Sequence, residues 1–207
     1  DRLYGGDGSD LLHGNEDNDH LLGEAGDDSM YGDAGDDLLE AGSGADILRG
    51  GIGNDVLLAG VGLGKLLYGE DGDDTIIGAD SGGNDADLFD GIYFGDRIFG
   101  GAGNERIRGL GGADIIDGGA DDDEIWGGEH GDLIDGQAGN DRLYGGFGED
   151  YIFGGDDGDF IDGGLDADWL YGQAGEDELL AGGGNGDQLW GGSDDDILRG
   201  SNDGADI

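Results

Sequence analysis

One large aliphatic residue recurs about every nine residues along the whole chain, and glycine and aspartate dominate the positions between. Residues Gly5 to His13 read GGDGSDLLH, Gly50 to Leu58 read GGIGNDVLL, and Gly145 to Phe153 read GGFGEDYIF. A frame set from Gly5 gives 21 complete units between Gly5 and Arg199, with Leu, Ile, Met or Phe at position 8 of every one, from Leu12 to Leu198. Side chains alternate across a strand, so positions 7 to 9 predict a three-residue strand with position 8 inward and positions 7 and 9 outward. The outward set mixes Arg106, Glu124, Asp117, Asp135, Tyr144 and Trp126, as a solvated face does. A unit this short cannot bury a core alone. It predicts a solenoid in which each strand pairs with those above and below at ~4.8 Å.

The polar positions are as regular. Position 1 is glycine in 20 units and Ala41 in the other; position 6 is aspartate in 19, with Lys65 and Glu105 as exceptions. Glycine takes φ > 0 without steric cost and so marks sharp turns. Position 4 is glycine in 11 units, and where it is not, position 5 often supplies one, as at Gly64, Gly95, Gly131, Gly158 and Gly186. That pattern predicts a turn requirement met from either position. The frame slips by one residue at Ala59 and Ala181 and by four at Gly78 to Ser81, and the last eight residues, GSNDGADI, fit it poorly.

With these residues the chain resembles the RTX family of secreted Gram-negative bacterial proteins, whose repeat is G-G-x-G-x-D-x-U-x with U large and apolar. The resemblance covers essentially all of residues 1–207, expected to be a single array with an irregular centre over 59–108. It implies an all-β fold, a right-handed parallel β-roll (β-solenoid) with two nonapeptides per coil and two facing parallel sheets. It implies calcium ions in the turns, held by position-6 aspartates and backbone carbonyls. Carried onto this chain, those aspartates are Asp10, Asp19, Asp28, Asp37, Asp46, Asp55, Asp74, Asp87, Asp96, Asp114, Asp123, Asp132, Asp141, Asp150, Asp159, Asp168, Asp177, Asp187 and Asp196. Same-side partners would be Asp10 with Asp28, Asp19 with Asp37, Asp132 with Asp150, and Asp141 with Asp159.

The chemistry of the residues agrees. Calcium takes six to eight oxygens from carboxylates, carbonyls and waters, and glycine-rich turns expose carbonyls. Softer metals have no ligands here: there is no cysteine, and His13, His20 and His130 are not at zinc spacing. No complete EF-hand loop occurs. The net charge is −44, from 52 acids against 8 bases. Carboxylates ~5 Å apart up a column repel by roughly 1 kcal/mol per pair even in water. Low hydropathy with such charge is the signature of disorder. The cation-free chain is therefore expected to be unfolded and to fold on binding calcium. Extracellular calcium modules work at ~10⁻⁴ to 10⁻³ M, which suits export unfolded and folding outside. Metal in place of disulfides as the staple is compatible with the lack of cysteine.

The same charge argues against nucleic acid and anionic membrane surfaces. The apolar runs are too short for a transmembrane helix, and the acidic, mid-repeat start is not a signal peptide. Starting and stopping inside the array predicts a piece of a longer protein, because solenoids need caps; a C-terminal secretion signal beyond the repeats is what the resemblance implies. Collagen is excluded by the nine-residue period and the lack of proline.

The departures sharpen the picture. Lys65, in GVGLGKLLY with Leu63 where a turn glycine belongs, predicts a turn without calcium. Its ammonium is positioned to bridge Asp46 and Asp87 in the ion's stead, or else points to solvent. Glu105, in GGAGNERIR, and Phe94, in GIYFGDRIF, also break the turn pattern. The irregular centre is either a region its neighbours tolerate or a contact site for a partner. Aromatics recur at position 9, among them Tyr31, Tyr68, Phe99, Trp126, Tyr144, Tyr171 and Trp190. Such a row suits stacking within the sheet, self-association or contact with cell-surface polysaccharide. No catalytic constellation is present, since paired carboxylates are everywhere and carry no information. In enzymes of the family the activity lies in separate domains. The leading expectation is a calcium-binding structural module of a secreted bacterial protein. A self-assembling surface-layer, adhesin or filament component, and an accessory module of a polysaccharide-modifying or hydrolytic enzyme, are the alternatives.

Overall fold

The structure is a computed structural model that describes residues 1–62, 64–79 and 94–201. Asp87, Leu63, the Phe94 side chain, Asp80 and Ser81 of the insertion, and the tail from 202 lie outside the described residues. Among the described residues twenty-one strands run from β1 (Arg2–Asp7) to β21 (Ile197–Arg199), and no helix occurs. Odd-numbered strands form an 11-stranded sheet and even-numbered strands a 10-stranded one. Every pairing is parallel, as in Leu3↔Leu21, Leu12↔Met30 and Ile134↔Ile152. A partner therefore sits two units, one coil, further along, except across residues 80–93, where Leu67↔Ile98 and Ile76↔Ile107 pair three units apart. Parallel neighbours cannot be joined by a tight hairpin. Here each connection is a turn, a strand of the opposite sheet and a second turn, and the result is a β-solenoid of about 10 turns.

Most strands are six residues long, not three. Pairing continues through positions 1 to 3 of the next unit, as in Gly6↔Glu24 and Asp7↔Ala25. The inner face follows the two-residue period: positions 6, 8 and 1 point inward, and positions 7 and 9 face out or lie half-buried. Position 8 supplies the apolar core, from Leu21 and Met30 to Ile161 and Leu170, each fully buried. The core is a single aliphatic row from each sheet. Aspartate columns flank it on both edges.

Two expectations about glycine are corrected. The position-1 glycines, such as Gly14 and Gly154, do not adopt positive φ; positions 2 and 4 do. Position 2 is left-handed even as Asn15 (φ 80°), Leu110 (φ 77°) or Gln137 (φ 76°). Where position 4 is not glycine, Asp17, Asp121, His130, Asp157 and Asp166 still sit at φ 74–80°. Aspartate tolerates that region because its short side chain bonds locally. Of the position-5 glycines, Gly131 and Gly158 do not take over the turn, since neither has positive φ, whereas Gly64 (φ 66°) and Gly186 (φ 98°) do. The frame slips also resolve differently. Ala59 and Ala181 are fully buried, and the next residues, Gly60 (φ 85°) and Gly182 (φ 81°), have the position-2 conformation. Both alanines thus occupy position 1, and the extra residue lies in the turn that follows.

The outward aromatics stack along the sheets rather than standing free. Tyr151 lies over Trp169 at 4.6 Å, and Phe153, Tyr171 and Trp190 form a continuous stack with centroids 4.9 and 4.5 Å apart. Arg49 covers the Tyr68 ring at 4.0 Å and Arg108 the Trp126 ring at 4.9 Å. Such contacts stabilise sheets by roughly 0.2–1 kcal/mol each.

Ile134→Ala, in the inner column, is expected to cost about 2–5 kcal/mol. Leu133→Ala, its exposed neighbour, is expected to change stability by under about 0.5 kcal/mol. Urea unfolding of the calcium-loaded chain measures both.

Candidate metal centre

The position-6 acids form two columns, one along each edge of the roll. Sixteen of the predicted aspartates between Asp19 and Asp187, all but Asp87 and those at the ends of the array, are at most 6% exposed; Asp10 and Asp196 are half-buried. The expected same-side partners meet. The Asp10 N–H donates to Asp28 Oδ1 at 2.9 Å and the Asp19 N–H to Asp37 Oδ1 at 2.7 Å. Asp132 donates likewise to Asp150 at 2.7 Å, and Asp141 to Asp159 at 2.9 Å. One oxygen of each aspartate thus holds the coil before it in register. The other oxygen, Oδ2, is buried without a hydrogen-bond partner in Asp28, Asp37, Asp55, Asp74, Asp114, Asp123, Asp132, Asp141, Asp150, Asp159, Asp168 and Asp177.

A buried, partnerless carboxylate oxygen is costly. Burial, the largest cause in each case, pushes Asp55 up to about 7, Asp159 up to about 8 and Asp132 up to about 9. Neighbouring carboxylates add to the effect, Asp114 on Asp132 for instance. The position-1 glycines leave space beside the orphan oxygens. A Cβ at Gly14 would lie 2.7 Å from Asp19 Oδ2 and 2.5 Å from the Gly32 carbonyl oxygen of the next coil. Carboxylate and carbonyl oxygens face the same point likewise at Gly23, Gly32, Gly127, Gly145 and Gly172.

Lys65 shows what such a point accepts. Its ammonium is fully buried, donates to Asp46 Oδ2 at 2.6 Å and to the Gly42 carbonyl at 3.1 Å. A cation thus sits between a position-6 carboxylate and a position-2 carbonyl of one turn. The exposed-lysine alternative is excluded, and the contact to Asp46 is made; the proposed contact to Asp87 lies outside the described residues. Strands β8 (Leu66–Asp71) and β10 (Phe94–Ala102) are neighbours, so Asp96 follows Lys65 in the column and accepts its N–H at 2.9 Å. Asp96 Oδ2 takes the Ala79 N–H at 2.6 Å. Asp46 and Asp96 are therefore the predicted ligands whose second oxygen is already occupied. Ala41 and Ala59 replace the position-1 glycine in the turns of Asp46 and Lys65, where no orphan oxygen needs the space.

The donor set is all oxygen, which suits a hard cation such as calcium. Among the described residues no three acidic or histidine side chains converge. A bound calcium would draw on one or two carboxylates, on position-2 and position-1 carbonyls, and on water. The chemistry it would supply is neutralisation of the buried Oδ2 charge.

One feature escaped the sequence reading. On one edge a second column runs outside the first: Asp36 N–H donates to Asn18 Oδ1, Asn54 to Asp36, Asp73 to Asn54, Asn104 to Asp73, Asp122 to Asn104 and Asn140 to Asp122, at 2.8–3.1 Å. These are position-5 residues of alternate units, and Asn and Asp alternate along the column. Its signal is a period of two units, hidden when all units are aligned together. The opposite edge carries mostly small residues there, including Ala45, Gly64, Gly95, Ala113 and Ala167.

Lys65→Asp is expected to free Asp46 Oδ2 and to add at least one calcium ion per chain in equilibrium dialysis; an unchanged count would contradict the substitution of ammonium for ion. Gly154→Ala drives a Cβ into Asp159 Oδ2 and the Gly172 carbonyl. It is expected to destabilise the calcium-loaded roll by about 1–3 kcal/mol, measured by urea unfolding in calcium.

A search of curated proteins finds no match to the chain. The sequence profile of the RTX calcium-binding nonapeptide repeat (4 copies) matches residues 1–30, 31–63, 66–80, 99–130, 126–161, 153–187 and 180–207. With its parallel two-sheet solenoid, its acid columns and this match along nearly its whole length, the chain belongs to the RTX calcium-binding nonapeptide repeat family.

Proposed function

We propose that this chain is a calcium-triggered folding module of a secreted bacterial protein, with the position-6 aspartates as its calcium ligands. The observation that carries the reading is the row of buried, partnerless Oδ2 atoms on both edges. Each needs a cation or a proton, and extracellular calcium supplies the cation at ~10⁻⁴ to 10⁻³ M. Binding and folding are then one event, because the ligands of one site come from successive coils and do not assemble in an extended chain. The array acts as one unit over residues 1–207, with 59–108 as its irregular centre. Within that centre the Lys65 turn supports a local role, joining coils without an ion. The stacked aromatic row ending in Trp190, which is 43% exposed, supports self-association or contact with a cell-surface polysaccharide as a second activity. Among the described residues no helix is long and apolar enough to cross a membrane.

The experiment is far-UV circular dichroism during a calcium titration, with magnesium as control and light scattering in parallel. The expected result is a cooperative coil-to-β change at roughly millimolar calcium, reversed by chelator and absent with magnesium. A chain fully folded in chelator at neutral pH would overturn the reading. Scattering that rises with the transition would support self-association.

The pH dependence follows from the raised carboxyls. Their folded pKa values lie above the unfolded value of 3.8, at about 6 for Asp74 and Asp141 and about 9 for Asp132. The cation-free folded state therefore binds more protons than the unfolded state. Its stability is greatest below about pH 4 and is lost as pH rises through the folded values. In chelator, β-structure is expected to increase on acidification from pH 8 to pH 4. With calcium the direction reverses, because protons compete for the ligands. The calcium midpoint is expected to rise as pH falls from 8 to 6, measured by circular dichroism at each pH.

A further inference from the structure

All seven arginines of the chain lie at positions 7 and 9, on the outer faces of the two sheets, whereas most of the acids lie in the turns along the two edges. The net charge of −44 is therefore a property of the edges. The outer face of the even-numbered sheet is nearly free of it. Its ten strands present 20 residues at positions 7 and 9: thirteen aliphatic or aromatic side chains, two arginines, two aspartates, and three of serine, glutamine or histidine. Leu11, Ile115, Leu133, Tyr151 and Trp190 are 39–68% exposed. An exposed apolar face of this length marks a contact surface. Ten strands at ~4.8 Å and six residues at ~3.3 Å give it ~1,000 Å², against ~800 Å² per partner in a stable interface.

The stacked rings decide what kind of surface fits. Tyr68 stacks on Phe99 at 5.1 Å, Tyr151 on Trp169 at 4.6 Å, and Tyr171 between Phe153 and Trp190. A sugar ring needs an open aromatic face, and these faces cover one another. The stacks run from strand to strand, so ring edges are left outward. Edges pack against a second row of rings.

The charges decide how a second copy lies. From β2 (Leu11–Glu16) to β10 the face carries both arginines, Arg49 and Arg97, and no acid. From β12 (Ala113–Ala120) to β20 (Gln188–Ser193) it carries both aspartates, Asp117 and Asp135, and no base. Arg49 is paired with Glu70 at 2.8 Å. Arg97 sits between Leu66 and Ile115 in its ladder and has no ion pair among the described residues. Asp117 and Asp135 are direct ladder partners, a repulsive arrangement, and Asp117 is met only by the Gln137 amide at 2.5 Å. A twofold axis that sets two copies antiparallel lays the basic half of each on the acidic half of the other. Such a contact is self-complementary and closes at two copies.

We propose that the outer face of the even-numbered sheet is the interface of an antiparallel, twofold-symmetric dimer, with Arg97 of each copy facing Asp117 and Asp135 of the other. The inference rests on the reading that calcium folds the roll, since the ten-stranded face exists only in the folded chain.

The test is sedimentation velocity of the chain in calcium at rising protein concentration, with circular dichroism to verify that each variant folds. The wild-type chain is expected to be a dimer. Arg97→Asp, and separately the double variant Asp117→Arg with Asp135→Arg, are each expected to raise the dimer Kd at least ~100-fold, because like charges then face each other. An equimolar mixture of the two is expected to regain the dimer, because every facing pair is again of opposite sign. Arg142→Asp, on the other sheet, is expected to leave the dimer unchanged. A folded wild-type chain that stays monomeric up to ~100 µM, whether or not it binds a neutral polysaccharide, would overturn the proposal. So would assemblies that grow beyond two copies, or a dimer that survives both charge reversals. The wild-type result decides even where a reversed chain fails to fold. A wild-type chain that does not fold in calcium would overturn the calcium reading itself, and this dimer with it.

Discussion

The aspartate that holds one coil to the next is also what prevents the empty roll from being stable. Its Oδ1 takes the backbone N–H of the preceding coil, which fixes register, and its Oδ2 is then buried beside a glycine and a carbonyl with nothing to bond. Geometry and charge are thereby linked at every turn. The hydrogen bond cannot form without bringing a second oxygen out of water, and that oxygen demands a positive partner. Lys65 meets the demand once with its own ammonium. At Asp96 the Ala79 N–H takes that oxygen; where the Oδ2 has no partner, the demand must be met from solution, by protons in acid or by calcium at neutral pH.

The rest of the architecture leaves little to oppose this constraint. The apolar core is one aliphatic row per sheet, and many outward positions are charged. Parallel pairing to the coil above and below satisfies the backbone but brings together residues far apart in sequence only after a coil has closed. Conformational entropy of roughly 1–2 kcal/mol per residue opposes that closure. A net charge of −44 opposes it further. The balance therefore turns on cations, and a chain of this composition can be held unfolded or folded by the ion content of its surroundings alone.

Much of this was legible in the repeat. The invariant aliphatic at position 8 marks the inner column, from Leu12 through Leu179, because alternation on a strand leaves one face for it. The position-6 aspartates marked the edges, and the one-coil pairing of Asp132 with Asp150 followed from two units per coil. The purpose of the first glycine was not legible. Composition suggests a turn, whereas Gly14 is needed for the missing Cβ beside Asp19, and the turn residues proper are its successors at positions 2 and 4. Strand length was underestimated because glycine pairs need no side-chain signal to continue a ladder. Ala59 and Ala181 were read as insertions because alanine does not look like glycine in a sequence, although each fills the position-1 site. The Asn/Asp column of Asn18 to Asn140 was missed because its period is the coil, not the unit.

Crystals of the chain grown in calcium, with anomalous differences measured at a wavelength sensitive to that ion, test the central claim most directly. The account predicts peaks along both edges, each beside the Oδ2 of a position-6 aspartate and the carbonyls of its turn, with a gap where the Lys65 ammonium meets Asp46. Columns without peaks in a folded chain, or a peak between Lys65 and Asp46, would contradict it.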